Sequence, residues 1–222
     1  MRIFPLSESA LTIELGNEIS TDLNSRAIAL AQYFSSNPFP GLIEAAPAYA
    51  SVTFFYDLAK VRRSFPRHPS TFEAVNEIVK AALESAIPKV RFASRLVEIR
   101  MVISETDAPD LSSLAERAGL STEEVIDIFT SRTYRVYMLG FLPGFAYMGE
   151  VDERIATPRL STPRTSVPEG SIGIAGKQTG IYPLASPGGW NVIGRTEMRL
   201  FDPASKRPTL LQPGDEVRFI RR

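Results

Sequence analysis

The segment GFLPGFAYMG (140–149), followed by TPR at 157–159 and again at 162–164, VPEGSIGIAG (167–176), GIYPLASPGGW (180–190) and IGRT (193–196), decides how this chain is read. Glycine stands where the backbone needs a positive φ or a close approach, and proline fixes φ while removing a donor. Both recur here between short apolar, β-prone runs. From Tyr134 onward helical periodicity is absent and short strands alternate with Gly and Pro turns, the pattern of a closed or nearly closed β-barrel.

Upstream the pattern changes. Ala10–Leu15 alternates as a strand, and Ser51–Tyr56 (SVTFFY) is β-branched and aromatic over strand length. Between them, Glu18–Phe34 carries apolar residues near helical spacing, with Ser20, Thr21 or Asp22 placed as a cap. Ser70 three residues before Glu73 makes a capping box ahead of Val75, Ile78, Val79, Ala82 and Leu83, a one-sided helical stripe that Pro88 would end. A new strand opens at Leu96–Ile103, Pro109-Asp110-Leu111 caps a short helix ending at Gly119, and Ser121-Thr122-Glu123-Glu124 caps another running to Phe129. The expected class is α+β: an N-terminal α/β sandwich domain over 1–90 and a barrel domain over 91–222.

Composition narrows the chemistry. The chain has 222 residues, 44% of them hydrophobic, enough for a substantial core. Its 25 acidic and 25 basic side chains cancel, so charge balance favours neither nucleic acid nor an anionic membrane surface. Without cysteine, disulfides, thiolate metal sites and a cysteine nucleophile are excluded. The start, MRIFPLSESALTIELG, lacks a long apolar run, so the expected setting is a soluble, cytoplasmic protein with no membrane span.

The candidate residues gather in the barrel. Arg159, Arg164 and Arg195 each lie beside a threonine in a Pro- or Gly-framed unit. A planar guanidinium on a rigid loop suits a carboxylate or phosphate, although the same side chains could equally serve loop carbonyls and acids such as Asp152, Glu169 or Asp202. Ser186 with Gly188 and Gly189 has the backbone freedom to present adjacent amides to an anion. Lys177 and Gln178 end a glycine-rich run that fails as a phosphate loop, because Ser171 and Gln178 occupy the places of the required Gly and Ser/Thr; a tight strand bend with a groove-lining Lys177 and Gln178 is the better reading. Phe141, Phe145 and Tyr147 beside the turns are candidates for partner contact. Trp190 reads as barrel core or groove wall. The sole histidine, His68, lies outside the barrel segment in Arg67-His68-Pro69 and reads as a surface or capping residue. No metal-ligand set and no catalytic acid-base pair emerges.

Taken in order, GFLPGF (140–145), TPR (162–164), VPEGS (167–171), SPGGW (186–190) and GRT (194–196) resemble the bacterial 5-oxoprolinase B-subunit family, also called allophanate hydrolase subunit 1-like, which includes an inhibitor of a sporulation sensor kinase. Weaker agreement at Ser9-Ala10-Leu11, Glu14-Leu15-Gly16, Pro47-Ala48-Tyr49, Tyr56-Asp57 and Leu211-Gln212-Pro213-Gly214-Asp215 extends the resemblance over almost the whole chain. It implies a cyclophilin-like barrel of the carboxyltransferase C/D type. It also implies ATP-dependent opening of 5-oxo-L-proline to L-glutamate together with the C and A subunits of that enzyme, the ATP and Mg belonging to the assembled enzyme rather than to this chain alone. Two further readings follow from the same kinship: a non-catalytic regulator that binds a sensor histidine kinase, and an allophanate hydrolase or carboxyltransferase-like module. Against the family pattern, Phe129 stands where a histidine is usual, and Ile103-Ser104 where Tyr-Gly is usual. The first change implies loss of an imidazole near the site.

Overall fold

The computed structural model describes residues 1–85 and 94–222, except for the side chain of Ser85. The expected boundary at 90/91 and Pro88 as helix terminator lie outside the described residues. The chain divides into two compact units, Met1–Ala93 and Ser94–Arg222.

The first unit holds strands β1 (Arg2–Ser7) and β2 (Ala10–Glu14), helix α1 (Thr21–Ser36), strands β3 (Leu42–Pro47) and β4 (Ser51–Tyr56), and helices α2 (Leu58–Ser64) and α3 (Thr71–Ser85). Its four strands form an antiparallel sheet in the order β1-β2-β4-β3. Leu11, Ile13, Val52, Phe54 and Tyr56 meet Ala27, Leu30 and Phe34 of α1 and Val75 and Val79 of α3 in one core. The helix starts follow their caps: Asp57 Oδ1 accepts from Lys60 N at 2.9 Å, and Ser70 Oγ from Glu73 N at 3.1 Å. The two edge strands and α2 are the elements that periodicity alone does not reveal. Five of the six β1 residues are exposed and both edges contain proline, so the alternation that marks a half-buried strand is missing.

The second unit begins with β5 (Leu96–Met101), α4 (Leu111–Ala118) and α5 (Thr122–Thr130). The strands β6 (Thr133–Leu139), β7 (Ala146–Gly149), β8 (Arg164–Val167), β9 (Ser171–Ala175), β10 (Gln178–Ile181), β11 (Ser186–Gly188), β12 (Asn191–Arg195) and β13 (Glu216–Arg221) follow. Seven of them make a sheet in the order β12-β9-β10-β7-β6-β13-β5. Its two ends meet at Val102 and Arg195, whose amides exchange hydrogen bonds of 2.7 and 3.0 Å. The sheet therefore curls back on itself as a barrel. Ile99, Met101, Val136, Met148, Ile172, Ile174, Ile193, Val217 and Phe219 fill it, with Leu114, Val125, Ile126 and Phe129 of the helices in the same core. β8 and β11 form a separate two-stranded ribbon. Among the described residues no helix is long and apolar enough to cross a membrane.

Candidate functional site

The ribbon carries the Gly- and Pro-rich loops past one another. Gly188 of β11 pairs with Arg164 of β8, and Ser186 with Val167. The 157–163 segment is fastened beside it: Leu160 N donates to Gly189 O at 2.7 Å. Asn191 Nδ2 donates to Pro158 O at 2.8 Å and to Ile174 O at 3.3 Å, while Asn191 Oδ1 accepts from Arg117 Nη2 at 3.1 Å. Arg159 is thereby held by backbone bonds on both sides.

Behind these loops stands an aromatic wall. The Phe145 ring lies 4.8 Å from Tyr147, 5.3 Å from Tyr182 and 5.5 Å from Trp190, centroid to centroid. Edge-to-face geometry of this kind adds to the stabilisation from burial. Gly188 exists for the wall's sake, because a Cβ there would meet the Tyr182 hydroxyl at 2.3 Å. Burial pushes the Tyr182 phenol up, with the Trp190 backbone and the Arg159 charge acting against it. The Arg159 guanidinium carbon stands 5.9 Å from the Trp190 ring centroid, within cation–π range. Arg159 is exposed, and no carboxylate pairs with it among the described residues.

The other expected anion contacts are arranged differently. Arg164 Nη1 and Nη2 donate to Asp110 Oδ2 and Oδ1 at 2.9 and 2.6 Å, and Asp110 Oδ2 also accepts from Val192 N at 2.7 Å. Arg164 therefore neutralises a buried carboxylate and has no free fork for a ligand. Arg195 lies at the far end of β12, where Nε donates to Glu169 O at 2.9 Å and Nη1 is 3.8 Å from Asp107. The two arginines do not converge on the Ser186–Gly189 loop. Lys177 pairs with Glu153 at the β9–β10 turn, and Gln178 begins β10 opposite Gly149 and Ala175. Ser186 is buried, its Oγ 3.3 Å from Pro187 O, and among the described residues no hydrogen bond joins it to a base that would activate it.

Phe145 is 1% exposed and is the hub of the wall rather than a surface contact, Tyr147 is half-buried, and Phe141 is 62% exposed. Position 129 also changes meaning. Phe129 is fully buried, its ring 5.0 Å from Tyr134 and 4.8 Å from Phe219, and its carbonyl accepts from the Tyr134 hydroxyl. Phenylalanine there packs the barrel core, so the expected loss of an imidazole from the site does not follow. His68 bonds Glu77 at 3.1 Å in the first unit, outside the barrel.

Sequence reasoning misses Asp110, Asn191 and Arg117 as parts of this framework. Asp110 stands at the N-cap of α4, as its spacing predicts, yet its side chain makes no cap bond. Nothing in the local sequence sets Asp110 apart from an ordinary helix cap, and it acquires meaning once Arg164 is placed 54 residues away.

The arrangement presents an exposed cation, Arg159, at the edge of a buried aromatic cluster in which Trp190 is 4% exposed, a guanidinium placed to meet a small carboxylate at the surface. Among the described residues no group of three or more His, Asp or Glu is disposed to hold a metal ion. A cavity of about 430 Å³ is lined by Arg100, Val102, Thr196, Glu197, Met198 and Arg222 and shares none of the wall residues.

Comparison with known proteins gives a consistent picture. The model of the carboxyltransferase domain, subdomain C and D, matches residues 1–211. The 5-oxoprolinase B subunit of Bacillus subtilis is 46% identical over 221 residues, covering 99% of this chain and 92% of the relative. That of Escherichia coli O157:H7 is 38% identical, covering 99% and 95%. The crystal structure of TTHA0988 superposes with a TM-score of 0.82 at 38% identity; the match takes in 96% of this chain but only 40% of that longer one.

Proposed function

This chain belongs to the carboxyltransferase-domain family of subdomains C and D, and on that premise we propose that it is the B subunit of an ATP-dependent 5-oxoprolinase, which opens 5-oxo-L-proline to L-glutamate together with the A and C subunits. The observation that carries the proposal is similarity to a protein of that name along essentially the full length of both chains.

The geometry supports a binding role within that reaction. A five-membered lactam is a poor electrophile, and ATP in the assembled enzyme supplies the phosphoryl group that activates its oxygen. The described residues provide neither a metal-binding group nor a phosphate loop: the 170–178 run is the β9–β10 hairpin, turning at Gly176 with φ 59°. In this proposal ATP and Mg belong to the assembled enzyme, and no step is assigned to them here. This chain's Arg159 would hold the carboxylate of 5-oxoproline. Asn191 and the Leu160–Gly189 hydrogen bond fix the loop before substrate arrives, so little order has to be imposed on binding.

The test is coexpression of the full chain with homologues of the A and C subunits and measurement of glutamate released from 5-oxoproline with and without ATP. Release that needs ATP and all three chains supports the reading. No release from any combination, with each chain folded, sinks it.

A further inference from the structure

Phe141 is an exposed ring on a backbone that phenylalanine disfavours. Leu142 N donates to Gly140 O at 2.8 Å, closing a three-residue turn with Phe141 at its apex and φ at 68°. Among the described residues it is the one non-glycine with positive φ. A γ-turn of this hand is rare and strained, and a bulky side chain in the left-handed region is a steric outlier.

The turn is braced so that it cannot relax. Gly140 N donates to Phe145 O at 3.1 Å and Phe145 N to Leu142 O at 3.0 Å. Gly144 follows at φ 84°, so close to Leu200 and Phe201 that an added Cβ would lie 3.0 Å from Phe201 Cβ. Glycine at 141 would satisfy the same backbone without strain. The fold gains little from the ring itself, which is 62% exposed and makes one edge contact, 5.6 Å from Phe145.

Strain of this kind persists where a side chain is used. Resting on the 5-oxoprolinase reading above, we propose that Phe141 is an anchor that inserts into an apolar pocket on the surface of the C subunit. A protein fits better than a small molecule for two reasons. The ring projects from a rigid turn backed by the buried Phe145, which is the character of an interface hot spot. In TTHA0988, moreover, the larger part of the chain lies outside the region this fold matches, so a relative of this fold is carried with further polypeptide.

The experiment titrates the purified C-subunit homologue with the full chain, Phe141→Ala and Phe141→Gly by calorimetry, and records thermal unfolding of each variant alone. Alanine removes the ring but keeps the strain, whereas glycine removes both. Both variants should bind about 30-fold more weakly, the loss typical of a hot-spot side chain. Phe141→Gly should melt above Phe141→Ala and no lower than the unaltered chain. Unchanged affinity in the variants, or failure of the unaltered chain to bind the C subunit, overturns the anchor, whereas the 5-oxoprolinase reading falls separately, if no combination of the three chains releases glutamate. A Phe141→Gly protein melting well below the unaltered chain would show that the ring supports the fold, which also defeats the proposal.

Discussion

Arg164 lays both terminal nitrogens of its guanidinium on the two oxygens of Asp110, and the same carboxylate receives the amide of Val192. The pair ties the β8 ribbon to the start of α4 and to β12. It places a charge that the sequence offers as a ligand contact inside the framework that holds the site. Asp110 has only 8% of its side chain exposed, against 31% for Arg164. Arg164→Ala leaves a buried carboxylate with only the amide of Val192, and breaking such a pair from one side costs about 3 kcal/mol. Chemical denaturation of the isolated chain should show a loss of that order. A change below about 0.5 kcal/mol, within the range of surface substitutions, would return Arg164 to the pool of ligand contacts.

Asn191 has the opposite balance, a neutral side chain with three bonds that hold Pro158, Ile174 and Arg117. Asn191→Ala should destabilise the chain by about 2 kcal/mol through unsatisfied partners. In the assembled enzyme it should also raise KM for 5-oxoproline, in the same direction as Arg159→Ala. Equal KM in Asn191→Ala and the unaltered protein would separate the loop from substrate binding.

Position 129 gives a reversal test. Phe129→His places an imidazole in a fully buried aromatic contact, where a polar ring without a partner costs about 2 kcal/mol. The variant should be less stable and no more active. A gain in glutamate release with stability intact would show that the residue reaches the site after all.

Acid should weaken a second network. Hydrogen bonds from Arg154, and after them from Arg132, hold the Asp152 carboxyl well below the usual carboxylate range. With the folded value depressed, the unfolded chain binds the proton more readily at low pH, so the contribution is complete above the ordinary aspartate value near 3.9 and declines as pH falls towards the folded value. Asp152→Asn should flatten the stability profile below about pH 4 and leave its slope near neutrality unchanged. Identical acid profiles for the two proteins would exclude Asp152 as a contributor.

The barrel is legible because its turns are written in glycine and proline, and the helices because Ser70 and Ser121 cap them as their spacing predicts. What stays hidden is long-range. β13 pairs in parallel with β5, Phe219 opposite Ile99, a contact that no local period announces. The site shares that difficulty. Arg159 and Arg164 occupy identical TPR units, and only the fold shows that one meets Asp110 while the other stands over Trp190. Phe145 and Phe141 flank a single turn, yet one is a buried hub and the other projects.

The central claim, that Arg159 is the carboxylate contact this chain supplies, is tested most directly by the steady-state kinetics of ATP-dependent glutamate release in the assembled enzyme, Arg159→Ala against the unaltered chain. Loss of one charge-assisted bond, about 1.5 to 3 kcal/mol, should raise KM for 5-oxoproline by roughly one to two decades, while thermal stability of the isolated chain stays unchanged. An unaltered KM in a fully assembled Arg159→Ala enzyme would contradict the account.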